Sequence, residues 1–211
     1  AMNPGMDADI FDAFMEQLHR YVRERLIPAE DQLETLGRVP DDILAEMRDM
    51  GLFGVTMPVE YGGAGMNISQ YIAFVQAIGY AAPAYRSILS INIGMVCKAI
   101  VGNGTEAQKA HWLPKLAGGA IAAFGLTEPD SGSDSAAMKT RAVRDGNGYV
   151  LNGTKRYITN APFADVILVM ARTNAEALPK NGHVSAFLVP RDTPGVSIGS
   201  PDAKMGQAGS Q

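Results

Sequence analysis

In the first half of the chain, apolar residues recur at helical spacing. Phe11, Phe14, Met15, Leu18, Val22 and Leu26 stand three or four residues apart and form one stripe. Pro28 is expected to close that helix, because proline cannot continue the hydrogen-bond ladder. Pro40, Asp41 and Asp42 suit a helix N-terminus. The stripe Ile43, Leu44, Met47 and Met50 follows, and Gly51 ends it. The stretch Pro58-Val-Glu-Tyr-Gly-Gly-Ala-Gly65 is too rich in glycine and proline for regular structure. Ser69 is read as the N-cap of a third helix reaching Ala77. Ile88 to Val101 is apolar and rich in small residues, the pattern of a helix buried on most sides. Thr105 and Gln108 have capping-box spacing, which predicts a helix to Ala117 broken by Gly118-Gly119.

From about residue 121 the period shortens. Lys139 to Val143 and Tyr149 to Leu151 flank Asp145-Gly-Asn-Gly148, a hairpin signal. Asp165 to Ala171 and Ser185 to Val189 are apolar runs of strand length, and Val196 to Ile198 reads as a further short strand. Asp202 to Gln211 is polar and glycine-rich. Helices first and strands afterwards predict an α+β chain of two segregated parts rather than a βαβ sheet. The boundaries expected are 7–118 for a helical domain and 121–211 for a β domain.

Composition narrows the function. Of 211 residues, 46% are hydrophobic and 19% charged, an ordinary globular balance. The net charge of -4 argues against a nucleic-acid partner, which needs a basic face. Cys97 is the one cysteine, so no internal disulfide forms, which fits a reducing compartment. No apolar run is read as long enough to span a bilayer. With no signal pattern at the N-terminus, the expected location is cytoplasmic. Ala1-Met2 reads as a cloning scar, leaving Met2 or Met6 as the start. His19, His111 and His183 are too scattered for a metal site.

Two segments stand out chemically. Phe124-Gly-Leu-Thr-Glu-Pro-Asp-Ser-Gly-Ser-Asp134 is an apolar strand running into hydroxyls, glycine and acids, able to hold a polar ring edge or a phosphate. On the residues alone, a solvated turn is the favoured reading. Asn152-Gly-Thr-Lys-Arg-Tyr-Ile-Thr-Asn-Ala161 follows the hairpin, where a neighbouring strand is expected. It could set an aromatic face beside a hydroxyl, although on these residues alone an ordinary edge strand is favoured.

Taken together, the two segments resemble the acyl-CoA dehydrogenase family, with its T-E-P-x-x-G-S-D and N-G-x-K-x-[WY]-I-T-N segments. Here these read Thr127 to Asp134 and Asn152 to Asn160. Gly51-Leu-Phe-Gly54, Pro58-Val-Glu-Tyr-Gly-Gly63, Gly104-Thr-Glu-Ala-Gln-Lys109 and Leu113-Pro-Lys-Leu-Ala-Gly118 add to the resemblance, in order along nearly the whole chain. It implies an N-terminal helical domain, an antiparallel β-barrel-like middle domain and a C-terminal helical bundle, with FAD against the middle domain. It implies that Phe124, Leu126 and Thr127 border the flavin ring. Gly132 and Ser133 would lie near the pyrophosphate, and Ser133 also against acyl-CoA. Tyr157 and Ile158 would pack by the flavin, with the Thr159 hydroxyl toward its N5. Tyr157 stands where Trp is frequent.

The implied reaction is α,β-dehydrogenation of an acyl-CoA to a trans-2-enoyl-CoA, a step of fatty acid metabolism, with an electron-transferring flavoprotein as acceptor and a homotetramer as assembly. The implied base is a glutamate of the bundle, expected beyond residue 211. No residue of 1–211 takes that role, and Glu128 belongs to the flavin-binding segment. A chain of these residues alone is therefore expected to bind FAD weakly and not to turn over. Tyr85-Arg-Ser87, with Ser90, resembles the segment by which glutaryl-CoA dehydrogenases hold a distal carboxylate, which makes Arg86 and Ser87 candidate substrate contacts. The alternative is that Arg86 pairs with a surface acid. A flavin monooxygenase or nitroalkane oxidase on the same fold, or a non-catalytic relative, would also carry the fold.

Overall fold

The structure is a computed structural model and describes residues 4–173 and 184–210. Ala1-Met2 and His183, singled out above, lie outside the described residues. The chain divides into two compact units, one of Ala1–Ile121 with Ala203–Gln211 and one of Ala122–Asp202.

The first unit is helical: α1 Ala8–Tyr21, α2 Glu30–Leu36, α3 Asp41–Asp49, α4 Ile68–Ile78, α5 Pro83–Ser90, α6 Lys98–Asn103 and α7 Glu106–Ala117. The apolar stripes of α1 to α5 converge on one core that includes Leu18, Leu26, Ile43, Met47, Phe53, Phe74 and Tyr85. Each such side chain contributes about 1.5–3 kcal/mol when fully buried. Pro28 does not end the first helix, as its lack of an N–H had suggested. A wide π-helical turn at Val22–Leu26 and a 3₁₀ turn at Ile27–Ala29 carry the helical path past it into α2. Such local changes of pitch re-satisfy the ladder around a proline. The chain turns instead at Gly37, where φ is +64°.

The cap of α4 is Asn67, not Ser69: its side chain accepts from the Gln70 N–H, and Gln70 returns a bond to the Asn67 N–H. Asn is at least as good an N-cap as Ser, and a glutamine three residues on completes the box. The same box at Thr105 and Gln108 opens α7, as read from the sequence. In the 58–65 loop, a Cβ on Gly63 would stand 2.1 Å from the Met57 carbonyl oxygen, so the loop needs glycine there.

From α5 the helical path continues through a π-helical stretch, Ile91–Cys97, into α6. Pro83–Asn103 is thus one helix of 21 residues, long and apolar enough by length and composition to cross a membrane. The sequence reading missed this by starting the segment at Ile88. Just over half of its most apolar window is buried, as in the core helix of a globular unit. Asn92, fully buried, gives its amide to the Ala120 carbonyl 2.6 Å away. In the tail, Gly209 lies against Leu33 and Ala84, and Ser210 is buried.

The second unit holds β1 Ala122–Gly125, β2 Arg141–Asp145, β3 Gly148–Asn152, β4 Val166–Arg172 and β5 Val184–Pro190. β2 and β3 form the expected hairpin, with Asp145 opposite Gly148. The sheet is mixed and open rather than an antiparallel barrel. β4 pairs parallel with β1 and β2 and antiparallel with β5. It is the central, most buried strand, in keeping with its run of Val, Ile and Leu. Val196 to Ile198 forms no strand, and Ile198 instead packs against a small core of Ala123, Ala164 and Ile167.

Candidate functional site

The chemistry-bearing segments of the second unit lie side by side. β1 runs out at Gly125 into the loop of residues 126–134. Residues 153–160, expected as a strand, are irregular, and no ladder forms. Three bonds hold them against the 122–128 stretch instead. The Arg156 N–H donates to the Thr127 carbonyl at 2.9 Å, Lys155 Nζ to the Leu126 carbonyl at 3.0 Å, and Asn160 Nδ2 to the Ala122 carbonyl at 3.1 Å. Gly153 makes this approach possible, since a Cβ there would fall 2.3 Å from Thr140 Oγ1.

A buried ion pair closes the clasp. Lys155 Nζ lies 2.8 Å from Glu128 Oε1, and Glu128 is 5% exposed. The Glu128 carboxylate also accepts from the N–H groups of Lys139 and Thr140. Within the loop, Glu128 and Ser131 exchange both backbone bonds, and Ser131 Oγ donates to the Asp134 carbonyl. Burial pushes the Glu128 carboxyl upward, but Lys155 and the two N–H donors outweigh it and hold it at about 2. Glu128 is therefore a permanent carboxylate whose acceptors are in use, the wrong state for a proton acceptor near neutrality.

Around this clasp stand the residues singled out from the sequence. Phe124, Leu126, Thr127, Ile158 and Thr159 are half-buried, while Gly132 and Ser133 are exposed. Among the described residues, the Thr127, Ser133 and Thr159 hydroxyls make no hydrogen bond within the chain. Nothing lies within 4 Å of a Cβ built on Gly132, so its backbone is open to a ligand. Tyr157 is 70% exposed, its ring covered by the Arg156 guanidinium at 4.9 Å. Its φ is +59° and that of Asn160 is +72°. Asn tolerates the left-handed region, but for a bulky residue such as Tyr this is strain, of the kind held at functional sites.

The roles of Lys155 and Glu128 escaped the sequence reading. A lysine and a glutamate 27 positions apart carry no local signal that they will meet inside the protein. The Asn in Tyr-Ile-Thr-Asn could have flagged a left-handed turn.

Arg86 and Ser87 belong to the helical unit. Ser87 is buried and Arg86 half-buried, in the first turn of α5. A cation there opposes the helix dipole, so helix stability does not account for it. No ion pair among the described residues includes Arg86. The surface-acid pairing weighed above is thus not formed. An open groove lined by Met15, His19, Ala73, Gln76, Ala77, Gly79 and Tyr80 includes none of the candidate residues. Among the described residues, no group of three or more His, Cys, Asp or Glu is placed to hold a metal ion.

Comparison with known proteins gives these segments a context. The description "Acyl-CoA dehydrogenase, N-terminal domain" matches residues 11–120, and "Acyl-CoA dehydrogenase, middle domain" matches residues 123–211. A mitochondrial isovaleryl-CoA dehydrogenase of Pongo abelii is 34% identical over 194 residues, 90% of this chain and 46% of that protein. A glutaryl-CoA dehydrogenase of Mycobacterium smegmatis, solved in complex with FADH2, is 35% identical with a TM-score of 0.86, over 97% of this chain and 51% of that one. A chain from a structure described as the electron transferring flavoprotein of Acidaminococcus fermentans is 31% identical with a TM-score of 0.88, over 99% of this chain and 54% of that one. The chain spans about half the length of the relatives it matches.

Proposed function

The chain belongs to the acyl-CoA dehydrogenase family, and from that premise we propose that it serves the flavin-dependent α,β-dehydrogenation of an acyl-CoA thioester to a trans-2-enoyl-CoA. The observation that carries this reading is the clasp of residues 126–128 against 155–156, with free hydroxyls and half-buried apolar side chains around it. Such a set fits a flat ring with one polar edge and an anionic tail. Phe124, Leu126 and Ile158 offer the ring apolar contact. Thr127 and Thr159 offer hydroxyls to its polar edge, and Gly132 and Ser133 an open loop to a pyrophosphate. FAD bound there supplies an acceptor for the hydride that leaves the β-carbon.

Lys155 fixes the Leu126 carbonyl and so sets the direction of the Thr127 side chain. Glu128 holds Lys155 in place through the ion pair, which makes both positioning residues. The α-proton needs a carboxylate of raised pKa. Glu128 is held in the opposite state, so the base is a different carboxylate, and by family likeness one outside residues 1–211. The electrons pass to an electron-transferring flavoprotein. The complete protein is a cytoplasmic homo-oligomer.

A more specific substrate is favoured by Arg86. A half-buried guanidinium without an acidic partner among the described residues, in an apolar helix, suits a planar carboxylate, which it can grip with two parallel bonds. We infer that the acyl group is a dicarboxylic one, with Arg86 and the neighbouring Ser87 at its distal end. The flavin assignment is tested by FAD titration followed by fluorescence. Thr127→Val and Ser133→Ala should each weaken binding severalfold with the melting temperature unchanged. FAD affinity indifferent to both would contradict the assignment.

A further inference from the structure

Asn103, Asn147 and Asn152 each stand directly before a glycine. In such a pair the glycine nitrogen can attack the asparagine side-chain carbonyl, because no side chain shields it and the reaction is intramolecular. In a folded chain the outcome depends on what else holds the two groups. Asn103 and Gly104 end α6, and both are engaged there. The Asn103 amide donates to the Ala99 carbonyl at 3.2 Å, and the Gly104 N–H to the Ile100 carbonyl at 2.8 Å. Asn147 lies in the β2–β3 turn, and Gly148 pairs with Asp145 across it, which commits the Gly148 N–H to the ladder. Asn152 and Gly153 differ from both pairs. β3 ends at Asn152, and both residues are exposed. Among the described residues, neither the Asn152 side chain nor the Gly153 N–H makes a hydrogen bond.

We propose that Asn152 is a self-modification site. The Gly153 nitrogen bonds to Asn152 Cγ, and the side-chain amide leaves as ammonia, taking the Gly153 proton with it. A cyclic imide results. Water then opens the imide at either carbonyl, which gives aspartate or isoaspartate with no oxidant or reductant involved. Isoaspartate routes the main chain through the former side chain and so adds a methylene directly before Gly153. That glycine passes too close to Thr140 for even a Cβ to fit. Two residues on, Lys155 reaches the Leu126 carbonyl and Glu128. The added methylene displaces Gly153 from Thr140 and draws Lys155 off the 126–128 loop, so the clasp opens in aged molecules.

The test is peptide mapping by mass spectrometry of the folded protein held in warm, mildly alkaline buffer, beside a sample in urea. In the folded protein Asn152 should convert about tenfold faster than Asn147 or Asn103, the factor that one hydrogen bond of typical strength imposes. In urea the three rates should converge. Equal rates at Asn152 and Asn147 in the folded protein, or an intact Asn152 once the urea sample has converted, would overturn the proposal. Melting curves read the consequence. Aged wild type should melt below fresh protein, while Asn152→Gln, whose longer side chain closes the ring far more slowly, should age unchanged. A melting temperature that survives conversion of Asn152, or an equal loss in Asn152→Gln, would overturn the opening of the clasp.

Discussion

At the residue scale, the account turns on one buried pair. The Glu128 side chain is 4% exposed and that of Lys155 12%, and removing one charge strands the other. Lys155→Met should cost about 3–5 kcal/mol of stability, measured by urea denaturation at pH 7. The same pair sets a pH dependence. The Glu128 carboxyl sits at about 2 in the folded chain, below its ordinary 4.5. Its contribution is therefore complete above about pH 4.5 and is lost as pH falls toward 2. The stability gap between wild type and Lys155→Met should accordingly narrow from pH 5 to pH 3. A constant gap would mean that the carboxylate is not depressed. Tyr157 gives the opposite kind of prediction. Its left-handed backbone stores about 1–2 kcal/mol of strain that Asn bears more easily. Tyr157→Asn should raise the melting temperature while weakening FAD binding, if the strain serves to present the ring.

At the element scale, the sequence was most legible where local chemistry decides the outcome. The Thr105–Gln108 box, the Asp145-Gly-Asn-Gly148 turn and the Gly51 stop depend on near neighbours, and they appear where the pattern put them. Pro28 and residues 153–160 depend on more distant groups. The first is carried through by a change of helical pitch, and the second is claimed by bonds to 122–127 instead of a ladder. The α4 cap lay between these cases, since both Asn67 and Ser69 are good caps. Asn67 holds it because Gln70, three residues on, can reciprocate. Asn67→Ala should then cost about 1 kcal/mol in thermal or urea denaturation, and Ser69→Ala almost nothing.

At the scale of the whole molecule, the helices-then-strands order was plain in the sequence. The pairing of β4 with three different strands was not, because partner choice in a sheet is not local. The motifs likewise pointed to the loop after β1 but not to the ion pair beneath it. The central claim is that these residues prepare a flavin to oxidise an acyl thioester, with a base other than Glu128. It is tested most directly by anaerobic titration of the FAD-loaded product of the gene's complete reading frame with butyryl-, octanoyl- and glutaryl-CoA, followed in the visible band of the flavin. The account predicts that the band bleaches, and furthest with glutaryl-CoA. A bound flavin that none of the three thioesters bleaches would contradict it.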